Sequence, residues 1–155
     1  MSRPNFGWNE YFTNSPTTTL GPGEYNSQRS YTSGSIYILK CLFNKFTSGS
    51  HGGALSFSSS VTYLLIESSS FFSCKTSNSW GGAIFFQNSG GQCVLHEVCG
   101  YDCSSNPYGQ FAYIEVNNVI ASKNYVNYSS ISNCVNTNSN SHHTLVLHNG
   151  KIYCP

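Results

Sequence analysis

One tetrapeptide recurs at a fixed distance, and that recurrence restricts the fold more than anything else in the chain. Gly52-Gly53-Ala54-Leu55 returns as Gly81-Gly82-Ala83-Ile84, an offset of 29 residues. Another 29 residues bring Ala112, inside Gln110-Phe111-Ala112-Tyr113, where the glycine pair is absent. The same offset aligns Phe43 with Phe72 and Tyr101, Cys74 with Cys103, and Cys41 with Cys99 across Ser70. It also aligns Ile36 with Leu65 and Val94, and Thr47 with Thr76 and Ser105. A period of this length marks a solenoid, whose single unit cannot bury its apolar face and gains a core only by stacking.

Each unit holds three short apolar pieces. In the middle unit they are Tyr63–Ile66, Phe71–Cys74 and Ala83–Phe86, parted by Ser, Asn and Gly. Three strands per unit with turn residues between them predict an all-β, right-handed parallel β-helix of about four coils over residues 34–155. Each strand then pairs with its equivalent about 4.8 Å along the axis, and the rest of the coil supplies the long crossover that parallel pairing requires. A narrow interior turns equivalent positions into ladders: a small-residue ladder of Ala54, Ala83 and Ala112, an aromatic ladder of Phe43, Phe72 and Tyr101, and a sulfur pair of Cys74 and Cys103. Gly52, Gly53, Gly81 and Gly82 mark a corner that needs positive φ or close backbone approach.

The third strand is expected to turn Ala112, Ile114 and Val116 inward, because Glu115 shares the phase of Tyr113. The first strand shows no phase, since Ile38 aligns with Glu67 and His96. A fourth coil is expected from Val119–Val126, Tyr128–Cys134 and Thr144–Leu147, after a polar loop over 136–143. Residues 1–33, with Pro4, Pro16 and Pro22, contain no matching unit and are expected to form an N-terminal cap or irregular segment. Ile152-Tyr153-Cys154 resembles the opening of a further coil, so the chain is expected to be a fragment truncated at its C-terminal end.

Composition agrees with strands and excludes several functions. Charged residues are 8% of the 155, against roughly 25% in an ordinary domain. Ser (27), Asn (17) and Thr (10) dominate, yet aromatic residues reach 15%, too many for a disordered chain. The net charge is +1 and the seven Lys and Arg are scattered, which excludes a nucleic-acid footprint. The longest apolar run, Val61–Ile66, is far too short to span a bilayer, and residues 1–20 lack a signal peptide's charged start and apolar centre. The compartment is left open.

Candidate chemistry is sparse. Cys93-x2-His96-x2-Cys99-x3-Cys103 offers four zinc-type ligands in eleven residues. The repeat accounts for Cys99 and Cys103 as ladder positions, and neighbours on a strand face opposite ways, so no metal or cofactor is expected. Cys74 and Cys103 fall within disulfide range or stack as buried thiols; the lack of a signal segment favours thiols. Carbohydrate-active β-helices group carboxylates on one wall. Here Glu67 and Glu97 miss stacking by one position, and Asp102 aligns with Asn44 and Ser73 as a solvent-side ladder. His142-His143 with His148 lie in or near a Ser/Asn-rich loop and are expected to be solvated. No catalytic residue emerges. The chain is expected to be a non-enzymatic structural or interaction module, its Ser/Asn/aromatic walls contacting protein or glycan surfaces. A portion of a carbohydrate-active lyase or glycosidase is the alternative, which a carboxylate-lined wall would favour.

The GGA-[LI] elements Gly52–Leu55 and Gly81–Ile84, with Phe6-Gly7-Trp8-Asn9 and Gly91-Gln92-Cys93-Val94-Leu95, resemble the right-handed β-helix domain-containing proteins of trichomonad protozoa. Gly81–Ile84 is also similar to repeats of chlamydial polymorphic outer membrane proteins, although the Phe-x-x-Asn element found there does not follow. The resemblance implies a multicoil protein with a cell-surface, adhesin-like role.

Overall fold

Aromatic and β-branched residues punctuated by Ser, Asn and Gly favour short pleated segments, and the described residues form sixteen of them. The computed structural model describes residues 7–136 and 143–153. A single helical turn, α1 (Trp8–Tyr11), precedes the strands. A shortened first winding holds β1 (Thr18–Leu20), β2 (Gly23–Tyr25) and β3 (Arg29–Tyr31). The next has β4 (Gly34–Leu39), β5 (Cys41–Ser48) and β6 (Leu55–Phe57), followed by β7 (Val61–Glu67), β8 (Ser70–Thr76) and β9 (Ile84–Gln87). Then come β10 (Gln92–His96), β11 (Cys99–Tyr101) and β12 (Ala112–Glu115). Last are β13 (Tyr125–Asn127), β14 (Ser130–Ser132) and β15 (Leu145–His148), and β16 (Lys151–Tyr153) returns to the starting sheet.

Every third strand joins the same sheet, and all recorded pairs are parallel: β1-β4-β7-β10-β13-β16, β2-β5-β8-β11-β14 and β3-β6-β9-β12-β15. This is a parallel β-solenoid. Residues 18–31, expected outside the repeat, form a winding with a short stride, Thr18 pairing with Ile36 and Gly23 with Cys41. It escapes a search at 29 residues because its connections are trimmed.

The stride varies, and this corrects five columns of the repeat, with Ile36 pairing with Leu64 and Thr47 with Lys75 rather than with Leu65 and Thr76. Phe43 pairs with Phe71, so the internal aromatic column is Tyr25, Phe43, Phe71. Phe72 and Tyr101 pair with each other outside it, Tyr101 being 47% exposed. Ala54 and Ala83 remain level, Ala54 N–H donating to Ala83 O at 2.8 Å, but Ala112 pairs with Ile84 and Phe111 takes the place after Ala83. Cys41 N–H donates to Ser69 Oγ, whereas Cys99 pairs with Ser70, so Cys41 and Cys99 belong to different columns.

The slip is already present in the first sheet, where Ile36 pairs with Leu64, and the second sheet adds a left-handed column. Lys45, Ser73, Asp102 and Asn133 each take φ between 51° and 56°. A left-handed residue interrupts alternation, so residues three apart, such as Phe71 and Cys74, are both wholly buried. Gly52, Gly81 and Gly109 form another positive-φ column at 67°, 71° and 69°. A Cβ at Gly53 or Gly82 would strike the backbone of the next winding, at Gly82 O and Gln110 O respectively. The pair therefore divides its labour, the first glycine for the turn and the second for close approach.

Across the core, bulk is exchanged between windings. Phe71 stacks on Phe43 at 4.9 Å and 5°, while the column beginning Ala54, Ala83 stays small. One winding on, Gly100 occupies the Phe71 column and Phe111 the alanine column. A Cβ on Gly100 would lie 2.5 Å from Phe111 Cδ2 and Cε2, so the ring fills the space that the missing side chain leaves. In the third sheet Ala112, Ile114 and Val116 are wholly buried.

The first sheet is buried on both faces. Leu20, Ile38, Ile66, Leu95 and Val126 form its inner column. On the outer face, Leu65 and Val94 are covered by Trp8 and Phe12, with Tyr37, Tyr63 and Tyr125 around them. Residues 7–14 thus strap this sheet; Trp8 Nε1–H donates to Asn14 O, and Asn14 Nδ2–H donates to Ser35 Oγ at 3.1 Å.

Candidate functional site

The third sheet presents aromatic residues outward. Alternation fixes this: Ile84 and Phe86, Ala112 and Ile114, lie in the core, leaving Phe85 and Tyr113 on the outer face. Registered along the axis, that column runs Ser56, Phe85, Tyr113, Val146. Beside it stands a column set by the residue before each left-handed glycine: His51, Trp80 and Tyr108. Gly52 N–H donates to Trp80 O and Gly81 N–H to Tyr108 O, both at 3.0 Å, which locks these windings level.

The two columns interdigitate. His51 stacks on Phe85 with centroids 4.3 Å apart, Phe85 stacks on Tyr113 at 5.7 Å, and Trp80 lies 5.0 Å from Tyr113 and 6.1 Å from Tyr108. Val146 replaces an aromatic ring in the next winding, and there a groove of about 370 Å³ opens, lined by Trp80, Tyr108, Tyr113, His143, Val146 and His148, with Leu145. Its polar border comes from the adjacent outward position, where Gln87, Glu115 and His148 are in register. Gln87 Nε2–H donates to Glu115 Oε2 at 2.9 Å. Burial, and then the Glu115 charge, push the Tyr113 phenol above its ordinary value, so it keeps its proton.

Trp80, Phe85, Tyr108 and the fixed outward phase of Tyr113 carry a signal in the sequence. An aromatic or imidazole ring immediately precedes a glycine at His51-Gly52, Trp80-Gly81 and Tyr108-Gly109. A rigid 29-residue offset passes over Gly109 by one position and hides the third member.

The zinc-type residues do not converge. Cys93 and Cys103 lie in the core, His96 lies under the strap, and Cys99 is half-buried on the second sheet. Among the described residues no three His, Cys, Asp or Glu groups are placed to hold a metal ion. His142 and Cys154 lie outside the described residues. The six described cysteines are free thiols. Cys74, Cys103 and Cys134 stack, Cys103 N–H donating to Cys134 Sγ at 3.4 Å. The Cys134 hydrogen bond pulls the Cys103 thiol down, but the Cys74 hydrogen bond and burial outweigh it, leaving it pushed up to about 12. Such thiols are inert packing groups.

The strap encloses a buried meeting of carboxylate and imidazole. Glu67 and His96 are paired across β7 and β10 and are 4% and 2% exposed. Tyr37 Oη–H donates to Glu67 Oε2, and His96 Nδ1 lies 3.1 Å from Tyr11 Oη and 2.9 Å from Asn127 Oδ1. Elsewhere Asp102 accepts from Ser73 Oγ–H at 2.7 Å and meets Lys75 Nζ at 3.4 Å. The Ser73 hydrogen bond, ahead of Lys75, holds its carboxyl below the usual range. Asp102 is level with Ser73 as the repeat predicts, but the left-handed column places it with Lys45 rather than Asn44. No helix among the described residues is long and apolar enough to cross a membrane. Compared with known proteins, the chain matches no family model, no curated protein and no solved structure.

Proposed function

We propose that the protein is a non-catalytic, adhesin-like interaction module whose working surface is the aromatic groove on its third sheet. The observation that carries this reading is the contrast between the two polar clusters. Rings and hydrogen-bonding groups are open at the groove, whereas Glu67 and His96 are sealed beneath Tyr11 and Tyr37. Glycoside hydrolysis needs two carboxyl groups facing one substrate. Here Glu67 is covered on the first sheet, Glu97 accepts from Ser68 at a corner, Asp102 pairs with Lys75 on the second sheet, and Glu115 is on the third. Rigid aromatic anchors are, by contrast, what a recognition surface needs.

The test uses printed glycan and purified-protein arrays probed with the wild type and with Trp80→Ala/Tyr113→Ala. Reducing-end release is assayed in parallel on pectin, xylan and mucin. The expected result is array binding lost in the double variant, with no release of reducing ends. Turnover of any polysaccharide, or arrays that bind wild type and variant alike, would overturn the proposal.

A further inference from the structure

We infer that the groove beside Tyr113 binds a pyranose ring of a neutral oligosaccharide; this deepens the interaction-module reading and rests on it. The argument starts from the interrupted stack. His51, Phe85 and Tyr113 continue one another along the axis, and Val146 stands where the next ring would be. The space left has the thickness of one winding, about 4.8 Å, which is the separation at which a ring-shaped group stacks on an aromatic face. Its volume of about 370 Å³ falls at the lower end of small-molecule sites, which suits one or two sugar rings.

The border decides among ring-shaped occupants. An aromatic side chain from a partner would leave the polar neighbours of this groove without partners. The mostly apolar lining, Trp80, Tyr113, Leu145 and Val146 among it, suits a sugar's C–H face, and His143 and His148 also line it, with Gln87 and Glu115 in register beside them. Hydroxyl substituents projecting from a pyranose, whose C–H face lies on Tyr113 and Trp80, would meet donors and acceptors on that border. Charge disfavours the acidic sugars. No Lys or Arg lines the groove among the described residues, and Glu115 adjoins it, so a sulfate or uronate would meet repulsion with no permanent cation opposite.

The experiment follows the Trp80 indole N–H resonance of the full chain during titration with cellobiose, lactose and N,N′-diacetylchitobiose. A sulfated heparin disaccharide and N-acetyltyrosinamide serve as competing probes. At least one neutral disaccharide is expected to give a saturable shift. Tyr113→Ala should weaken it at least tenfold. Val146→Phe should do the same, because the added ring completes the stack and occupies the space. Saturation by N-acetyltyrosinamide alone would overturn the sugar assignment and leave an interaction module with an aromatic peptide partner. Preference for the sulfated sugar, or undiminished binding in Val146→Phe, would also overturn it. If no probe shifts Trp80 and the arrays are empty as well, both readings fall.

Discussion

Exchange of bulk between Gly100 and Phe111 predicts that each position is intolerant alone and tolerant together. Gly100 is not among the positive-φ glycines, so Gly100→Ala adds a methyl group without backbone strain. That methyl would sit 2.5 Å from two Phe111 ring carbons, against an optimum near 3.5–4.0 Å, and such overpacking costs roughly 1–3 kcal/mol. Phe111→Ala opens a cavity in a wholly buried site and costs about 3–5 kcal/mol. Combining Gly100→Ala with Phe111→Ala removes the clash, so the double variant should be about 1–2 kcal/mol more stable than the sum of the singles. Gly100→Phe with Phe111→Ala goes further and recreates, one winding on, the Phe71 and Ala83 arrangement. It should lie within about 1.5 kcal/mol of wild type, as volume-conserving swaps do. Urea unfolding followed by far-UV circular dichroism measures all four. Additivity within about 0.5 kcal/mol, with Gly100→Phe/Phe111→Ala no better than Phe111→Ala alone, would refute the reasoning.

Trp8→Ala should release the strap, raising hydrogen exchange over residues 7–14 and exposing Leu65 and Val94. Its cost is bounded by about 3–5 kcal/mol, and unchanged exchange there would count against the strap. Tyr37→Phe removes the donor to buried Glu67 and should cost roughly 1.5–3 kcal/mol by urea unfolding, with a neutral result contradicting the contact. Because the fold raises the Cys103 thiol from 9.0 to about 12, its stabilisation is complete below pH 9 and is lost as pH climbs towards 12. In reducing buffer the wild type should therefore lose stability faster than Cys103→Ala between pH 8 and pH 10.5; parallel curves would refute this. Among the six described cysteines, brief alkylation of native protein should label Cys99 first, read by peptide mass mapping.

The strand triplets and the ladder principle were legible because stacking forces equivalent residues into the same chemistry. What misled was the rigid offset. Phe71-Phe72 offers two adjacent rings, and nothing local says which one continues Phe43. The choice is made by the 28-residue stride already set in the first sheet, and the left-handed Ser73 then brings Phe71 and Cys74 inward together. Serine carries no mark of that conformation, whereas glycine at 52, 81 and 109 does. The size exchange had the same effect, moving Ala112 one place along because Phe111 was needed opposite Gly100.

The first strand lost its phase to the same offset, which set Ile38 against Glu67 instead of Ile66, and to a second cause. Alternation appears in a sequence only when one face meets water. Leu65 and Val94 are buried by Trp8 and Phe12, which lie far away in the chain, so both faces are apolar and the pattern vanishes. The third sheet has the opposite problem. Its outer face carries rings, Phe85 buried among its neighbours and Tyr113 and Trp80 partly exposed, and all three look like core residues until the inner phase is fixed by Ala112 and Ile114. A solenoid can satisfy its core with alternate residues alone, so rings on the outer face are surplus to folding. The strap uses one such surplus, on the first sheet. On the third sheet Trp80, Tyr108 and Tyr113 stay partly exposed where the groove opens, and their excess over what stacking requires is the physical basis for proposing recognition at that wall.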